Sequence, residues 1–174
     1  MDKPHSTRRP WLIAAAVFIF AALPFGPARA LDAPKGAVVL SVSGALTHAN
    51  DNGAASFDMA LLATLPQHSF STKTPWYPQP HKFTGVLVRD LLEAVGSRAG
   101  TARAVALNDY RADMPTEELI KNGAMIAYLF DDQPMPVREK GPLVIIFPFS
   151  DRPELRTAVH YSRAVWQLKG LELR

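Results

Sequence analysis

Apolar positions along this chain recur with two different periods, and the change of period marks its elements. Leu87, Val88, Leu91, Leu92 and Val95 fall on one helical face, which predicts a helix. Phe57, Leu61, Leu62 and Leu65 share a second face, with Asp58 in the first turn, where a carboxylate meets the positive end of the helix dipole, and Pro66 as a stop. Elsewhere the apolar runs are short and rich in β-branched residues. Ala37–Leu46, Ala102–Leu107, Ala124–Phe130 and Leu143–Phe147 read as strands, and Tyr161–Leu173 alternates enough for a last strand or two. A short helix starts at Thr116, read as its N-cap, with Glu117 and Glu118 in the first turn and Asn122-Gly123 closing it. Thr47–Gly53, Gly96–Gly100, Asn108–Pro115, Asp131–Pro134 and Pro148–Glu154 carry turn chemistry. Strands outnumber helices without a regular strand-helix-strand rhythm, so the expected fold is a single α+β domain with a mixed sheet.

The stretch Ser69–Val95 stands apart, because small hydroxylated residues lead into an aromatic pair bracketed by prolines (Pro75, Trp76, Tyr77, Pro78) before the helix begins. Prolines fix their own φ and stiffen the loop, so the aromatic rings are held in place. A rigid, partly exposed aromatic beside hydroxyls suits a flat heteroaromatic ligand; the plainer alternative is that Trp76 plugs the edge of the core.

Residues 1–30 alter the charge picture. A basic start, an apolar run from Trp11 to Phe25 and the sequence Ala28-Arg29-Ala30 read as a cleaved secretory signal peptide, leaving 31–174 as the folded domain in the periplasm. Pro24, Gly26 and Pro27 end the apolar run at about 15 residues, short of the roughly 20 that span a bilayer. Of 19 Lys and Arg and 16 Asp and Glu, the first 30 residues hold four and one, leaving 15 against 15. A neutral remainder gives no reason to expect a nucleic-acid partner.

Several chemistries are excluded or disfavoured. The chain contains no cysteine, so it has no thiolate metal site, thiol nucleophile or redox pair. His48, His68, His81 and His160 are scattered without ligand spacing, and there is no G-x-S-x-G elbow. Asp131-Asp132 and Glu117-Glu118 read as a solvated turn and a helix start, and Trp166 as a packing residue.

Three blocks together resemble the sulfite-oxidase-type molybdopterin-binding domain: F-x-G-V-x-V-x-D-L-L at Phe83–Leu92, N-D-Y-x-x-x-x-P at Asn108–Pro115, and Q-P-M-P-V-R-x-K-G-P at Gln133–Pro142. Their order and spacing carry the resemblance, which extends over nearly all of residues 37–170. It implies that family's fold and a pterin cofactor, either a reduced pterin or molybdopterin itself. Catalytic members hold molybdenum through a cysteine a few residues before a tryptophan, and the corresponding place here is Thr72, ahead of Trp76. A threonine hydroxyl is far too weak an acid to serve as a soft anionic ligand, so no metal is expected. The family's D-G-Y appears as Asn108-Asp109-Tyr110, and the arginine that follows its G-x-P is missing after Gly141-Pro142-Leu143.

The resemblance therefore points to the cysteine-free periplasmic pterin-binding branch, whose members act as partners of signalling enzymes. A binder of this kind is non-catalytic and passes pterin occupancy to a membrane-bound signalling protein. The alternative is a molybdopterin-dependent oxidoreductase without the cysteine ligand. Candidate pterin-binding residues are Thr72, Trp76, Tyr77, Asn108, Asp109, Tyr110 and Arg138. Trp76 and Tyr77 offer stacking faces, Asn108, Asp109 and Arg138 polar groups for the ring edge, with Asp109 accepting from the 2-amino and N3 hydrogens. Each has a structural alternative: Asp109 capping its own turn, Tyr110 a core residue with a satisfied hydroxyl, Arg138 part of a solvated charge run.

Overall fold

The computed structural model describes residues 31–174, and the signal peptide read over residues 1–30 lies outside the described residues. Its elements run β1 (Leu40–Gly44), β2 (Ala55–Phe57), α1 (Met59–Thr64), β3 (Gln67–Thr72), β4 (His81–Leu87), α2 (Val88–Ala94), β5 (Thr101–Ala106), β6 (Arg111–Pro115), α3 (Thr116–Lys121), β7 (Met125–Phe130), β8 (Gln133–Pro134), β9 (Val144–Ile146), α4 (Ala158–Arg163) and β10 (Leu168–Leu173). They form two sheets, one ordered β2-β1-β10-β5-β6 and the other β3-β4-β7-β8 with β9 also on β7. The first is mixed, because β1 runs parallel to β10 while its other pairs are antiparallel. This is the α+β fold expected.

Both sheets and the helices close over one core. Leu40, Val42, Phe57, Phe83, Met125, Ile126 and Leu143 are fully buried within it. The helical face predicted for 87–95 packs inward through Val88, Leu91, Leu92 and Val95, but Leu87 lies at the end of β4 and only flanks the helix. Gly85 explains the glycine of the F-x-G-V block. A Cβ there would lie 2.1 Å from the Ile126 carbonyl oxygen, at the point where the β4–β7 register slips.

Four local expectations are corrected. Phe57 belongs to β2, not to the first helix, and Asp58 is that helix's N-cap: its carboxylate accepts from Leu61 N at 2.8 Å and from Lys35 N and Gly36 N. Three backbone donors around one carboxylate hold its pKa below the ordinary value. At α3 the cap position is Pro115, while the Thr116 hydroxyl donates to the Ala99 carbonyl. Residues 111–115, read as part of a turn segment, form strand β6, and residues 67–72, given no element from the sequence, form strand β3. Both are edge strands with few large apolar residues, made extended by the neighbour each pairs with. Finally, Tyr161 sits in α4, whose N-cap Thr157 accepts from His160 N, so only the second half of the C-terminal stretch is a strand.

Candidate pterin cleft

Thr72 is the last residue of β3, and the proline-bracketed loop that follows it returns to β4 at His81. Thr72 is 0% exposed; its hydroxyl oxygen accepts from Ser150 N at 3.0 Å, while Lys73 N donates to Ser150 Oγ at 2.8 Å. These two hydrogen bonds fasten the root of the loop to the 148–157 segment. Thr72 thus faces packed protein and does not line the clefts described below.

Beyond this fastening the loop presents its aromatics. Trp76 meets Trp166 edge to face, ring centroids 5.0 Å apart, and Tyr161 at 6.0 Å. A cleft of about 290 Å³ opens beside them, lined by Trp76, Asn108, Tyr110, Tyr161, Trp166 and Gln167 among others. The β5–β6 turn forms its opposite wall. There the Asn108 side-chain carbonyl accepts from Tyr110 N at 3.1 Å, and the Tyr110 hydroxyl donates to the Ser162 carbonyl at 2.9 Å. Tyr110 is 46% exposed and so is not a core residue, although its hydroxyl is satisfied.

The seven residues named from the sequence do not converge on one place. Trp76, Asn108 and Tyr110 share the cleft. Tyr77 and Arg138 line a second hollow of about 330 Å³ with Phe130, Gln133 and Lys140. Asp109 adopts a left-handed backbone, φ 63°, and its carboxylate meets Lys169 Nζ at 2.9 Å outside both hollows. That lysine, with Arg111 adding to it, keeps the Asp109 pKa low.

Trp166, read as packing from the sequence, is the residue that the sequence reasoning missed. It lines the first cleft, touches Trp76 and Tyr77, and lies beneath the Lys140 ammonium, which is 5.5 Å from its ring centroid. Its indole nitrogen is buried and has no hydrogen-bond partner among the described residues. Nothing in the local pattern of residues 161–173 signals this, because α4 and the turn after it create the position.

The residues present fit the two halves of a molybdenum cofactor differently. A flat bicyclic ring matches the first cleft, whose volume lies near the lower end of small-molecule sites and whose walls are aromatic with polar groups at one side. For the metal, the position of the family's thiolate is a buried, hydrogen-bonded threonine, so the chain offers no soft anionic ligand there.

Comparison with curated proteins gives no match. Among solved structures, the sulfane dehydrogenase SoxCD from Paracoccus pantotrophus shares the fold with a TM-score of 0.58 at 14% identity, covering 77% of this chain. The match spans only 37% of that chain, and at this identity the likeness speaks to fold alone. The family model described as oxidoreductase molybdopterin binding domain matches residues 48–150, well over half the chain and all three blocks read above. This chain therefore belongs to the oxidoreductase molybdopterin binding domain family.

Proposed function

We propose that this protein is a periplasmic, non-catalytic binder of a reduced pterin that relays its occupancy to a membrane-bound signalling partner. The observation that carries the reading is the contrast at the loop: the thiolate position is closed by Thr72 and Ser150, while four residues later Trp76 stands at an open cleft. The ring would lie against the tryptophan walls, with the Asn108 amide and the backbone of the turn meeting its edge. Trp76 and Trp166 exclude water from one face, which strengthens each hydrogen bond made at the edge. The relay would run through the loop root, because the hydrogen bonds of Thr72 and Lys73 to Ser150 tie the ligand-facing loop to the 148–157 segment, which is exposed at Asp151, Pro153, Glu154, Arg156 and Thr157. A ligand that orders Trp76 would bias that segment by its differential affinity for the two arrangements.

The test is direct. Mature protein purified from its native compartment is expected to carry a fluorescent pterin, or to bind added tetrahydropterin at micromolar concentration; a ligand-free protein that ignores tetrahydropterins overturns the reading.

Family membership supports a second reading, a molybdopterin-dependent oxidoreductase lacking the cysteine ligand. Metal analysis separates the two: stoichiometric molybdenum in protein from the native periplasm favours the enzyme, and pterin without molybdenum favours the binder.

A further inference from the structure

The first sheet ends in β2 and β6, the second in β3 and in β8 and β9, which share the far side of β7. All of these edges but β3 are closed to further pairing. β2 and β9 are three residues long with every residue buried, and β8 is two residues ending in Pro134. β6 carries Arg111 and Asp113, and its last residue, Pro115, has no N–H to give. Shortness, charge and proline are the devices by which folded chains keep a sheet edge from joining another chain.

β3 has none of them. Its sequence, Gln67-His68-Ser69-Phe70-Ser71-Thr72, includes no proline, lysine, arginine or carboxylate. It pairs with β4 in one unbroken register from Gln67↔Val86 to Thr72↔His81, without the slips seen in β4–β7 and β5–β10, so no bulge bends the edge away. Its one histidine, His68, is matched by the Asp90 carboxylate at 2.9 Å. Gln67, Ser69 and Ser71 are exposed, and His68 and Phe70 are half-buried. An edge strand turns the N–H and C=O of alternate residues outward, and among the described residues no group outside β4 bonds the backbone of Ser69, Phe70 or Ser71.

We propose that β3 pairs with β3 of a second copy of this chain, antiparallel about a twofold axis through Phe70. Two features select a second copy. The strand is neutral along its length, so facing itself it opposes no like charges, and it offers no charge to a charged partner strand. The register is also self-consistent. With Phe70 opposite Phe70, Ser69 faces Ser71, His68 faces Thr72, and Lys73, just past the end, faces Gln67. A twofold ribbon of this kind needs a residue on its axis, because side chains alternate between faces and only like parity can stand opposite. Phe70 supplies an aromatic pair there, with hydroxyls on either side. The β3-β4-β7 sheets of the two copies then become one. The proposal does not depend on the pterin reading, although the strand's last residue, Thr72, is the fastened root of the Trp76 loop.

Light scattering on the mature protein over a dilution series is expected to show a species of twice the monomer mass that dissociates on dilution. Ser69→Lys/Ser71→Lys sets lysines opposite lysines while altering only exposed side chains. It should stay folded by circular dichroism and be monomeric at every concentration, whereas Ser69→Thr/Ser71→Thr should remain a dimer. The chain has no cysteine, so a single introduced one reports position cleanly. Under mild oxidation Phe70→Cys should cross-link several-fold more than Ser69→Cys or Ser71→Cys, because only on the axis do like residues come within disulfide reach, about 4.4–6.8 Å between Cα atoms. A maximum at residue 69 or 71 supports β3 pairing in a shifted register. The lysine variant decides the matter even where Phe70→Cys fails to fold. A monomer at every concentration overturns the proposal, whatever other chain then meets the edge. A dimer that the double lysine variant keeps places the interface elsewhere and overturns it too.

Discussion

Residues 72 and 76 are one turn of loop apart, and they carry opposite fates. Around Thr72 the chain is closed: the side chain is fully buried, and its hydroxyl and the next backbone N–H are both satisfied by Ser150. Around Trp76 it is open, with a cleft lined by Trp76 and Trp166 and, among the described residues, an indole nitrogen of Trp166 without a hydrogen-bond partner. Burial of a small hydroxyl needs only one good hydrogen bond, so the former ligand position could be absorbed into the core. Large aromatics in a stiff loop are harder to bury completely, and a cleft opens beside Trp76. The difference teaches that a closed, hydrogen-bonded loop root and an open aromatic cleft can stand within a few residues of each other.

The contrast can be broken most strongly from the open side. Trp76→Ala is expected to weaken tetrahydropterin binding by about 1–3 kcal/mol, up to about a hundredfold, the usual worth of one stacked aromatic. Titration together with a melting curve distinguishes lost recognition from lost folding; a variant that melts earlier but binds normally would reduce Trp76 to packing.

On the closed side, Thr72→Val keeps the shape but leaves the part-buried Ser150 N–H without its acceptor. Denaturant unfolding should show a loss of about 1–3 kcal/mol, and an unchanged midpoint would mean that the fastening contributes nothing. Thr72→Cys sharpens the same point. Produced in a host that makes molybdenum cofactor, it is expected to contain no stoichiometric molybdenum by elemental analysis, because the side chain faces Ser150 and not the cleft.

Acid should lower the stability of the scaffold that carries both regions, through two carboxylates outside them. Asp58 and Asp131 have depressed folded pKa values, Asp58 from the backbone donors Leu61, Gly36 and Lys35, Asp131 from His81 and then Lys82 N. Their contribution is therefore present above the unfolded carboxylate value, near pH 4, and is lost as pH falls through the lower folded values. A melting temperature that stays flat from pH 5 to about pH 2 would contradict this. The smallest effect is expected at the turn itself: Asp109→Asn breaks an exposed pair with Lys169 outside the cleft, tolerates the left-handed backbone, and should leave pterin affinity unchanged.

Much of this molecule was legible before folding. Periodicity placed the helix within one residue at its start, reading Leu87–Val95 for Val88–Ala94, and the strands around β1, β5, β7 and β9, since each is set by its own apolar spacing. The absence of cysteine settled by itself that no thiolate could meet a metal. The three spaced blocks identified the family. What local pattern could not supply was everything fixed by partners distant in sequence. β3 and β6 are strands because neighbours pair with them, and Thr72 is closed because Ser150, 78 residues away, meets it. Trp166 joins the site because α4 turns it toward Trp76, whereas Asp109 leaves it because Lys169 draws its carboxylate elsewhere. Spacing along a chain encodes faces and elements; which faces enclose a ligand is decided by long-range packing, and that information exists only once the chain has folded.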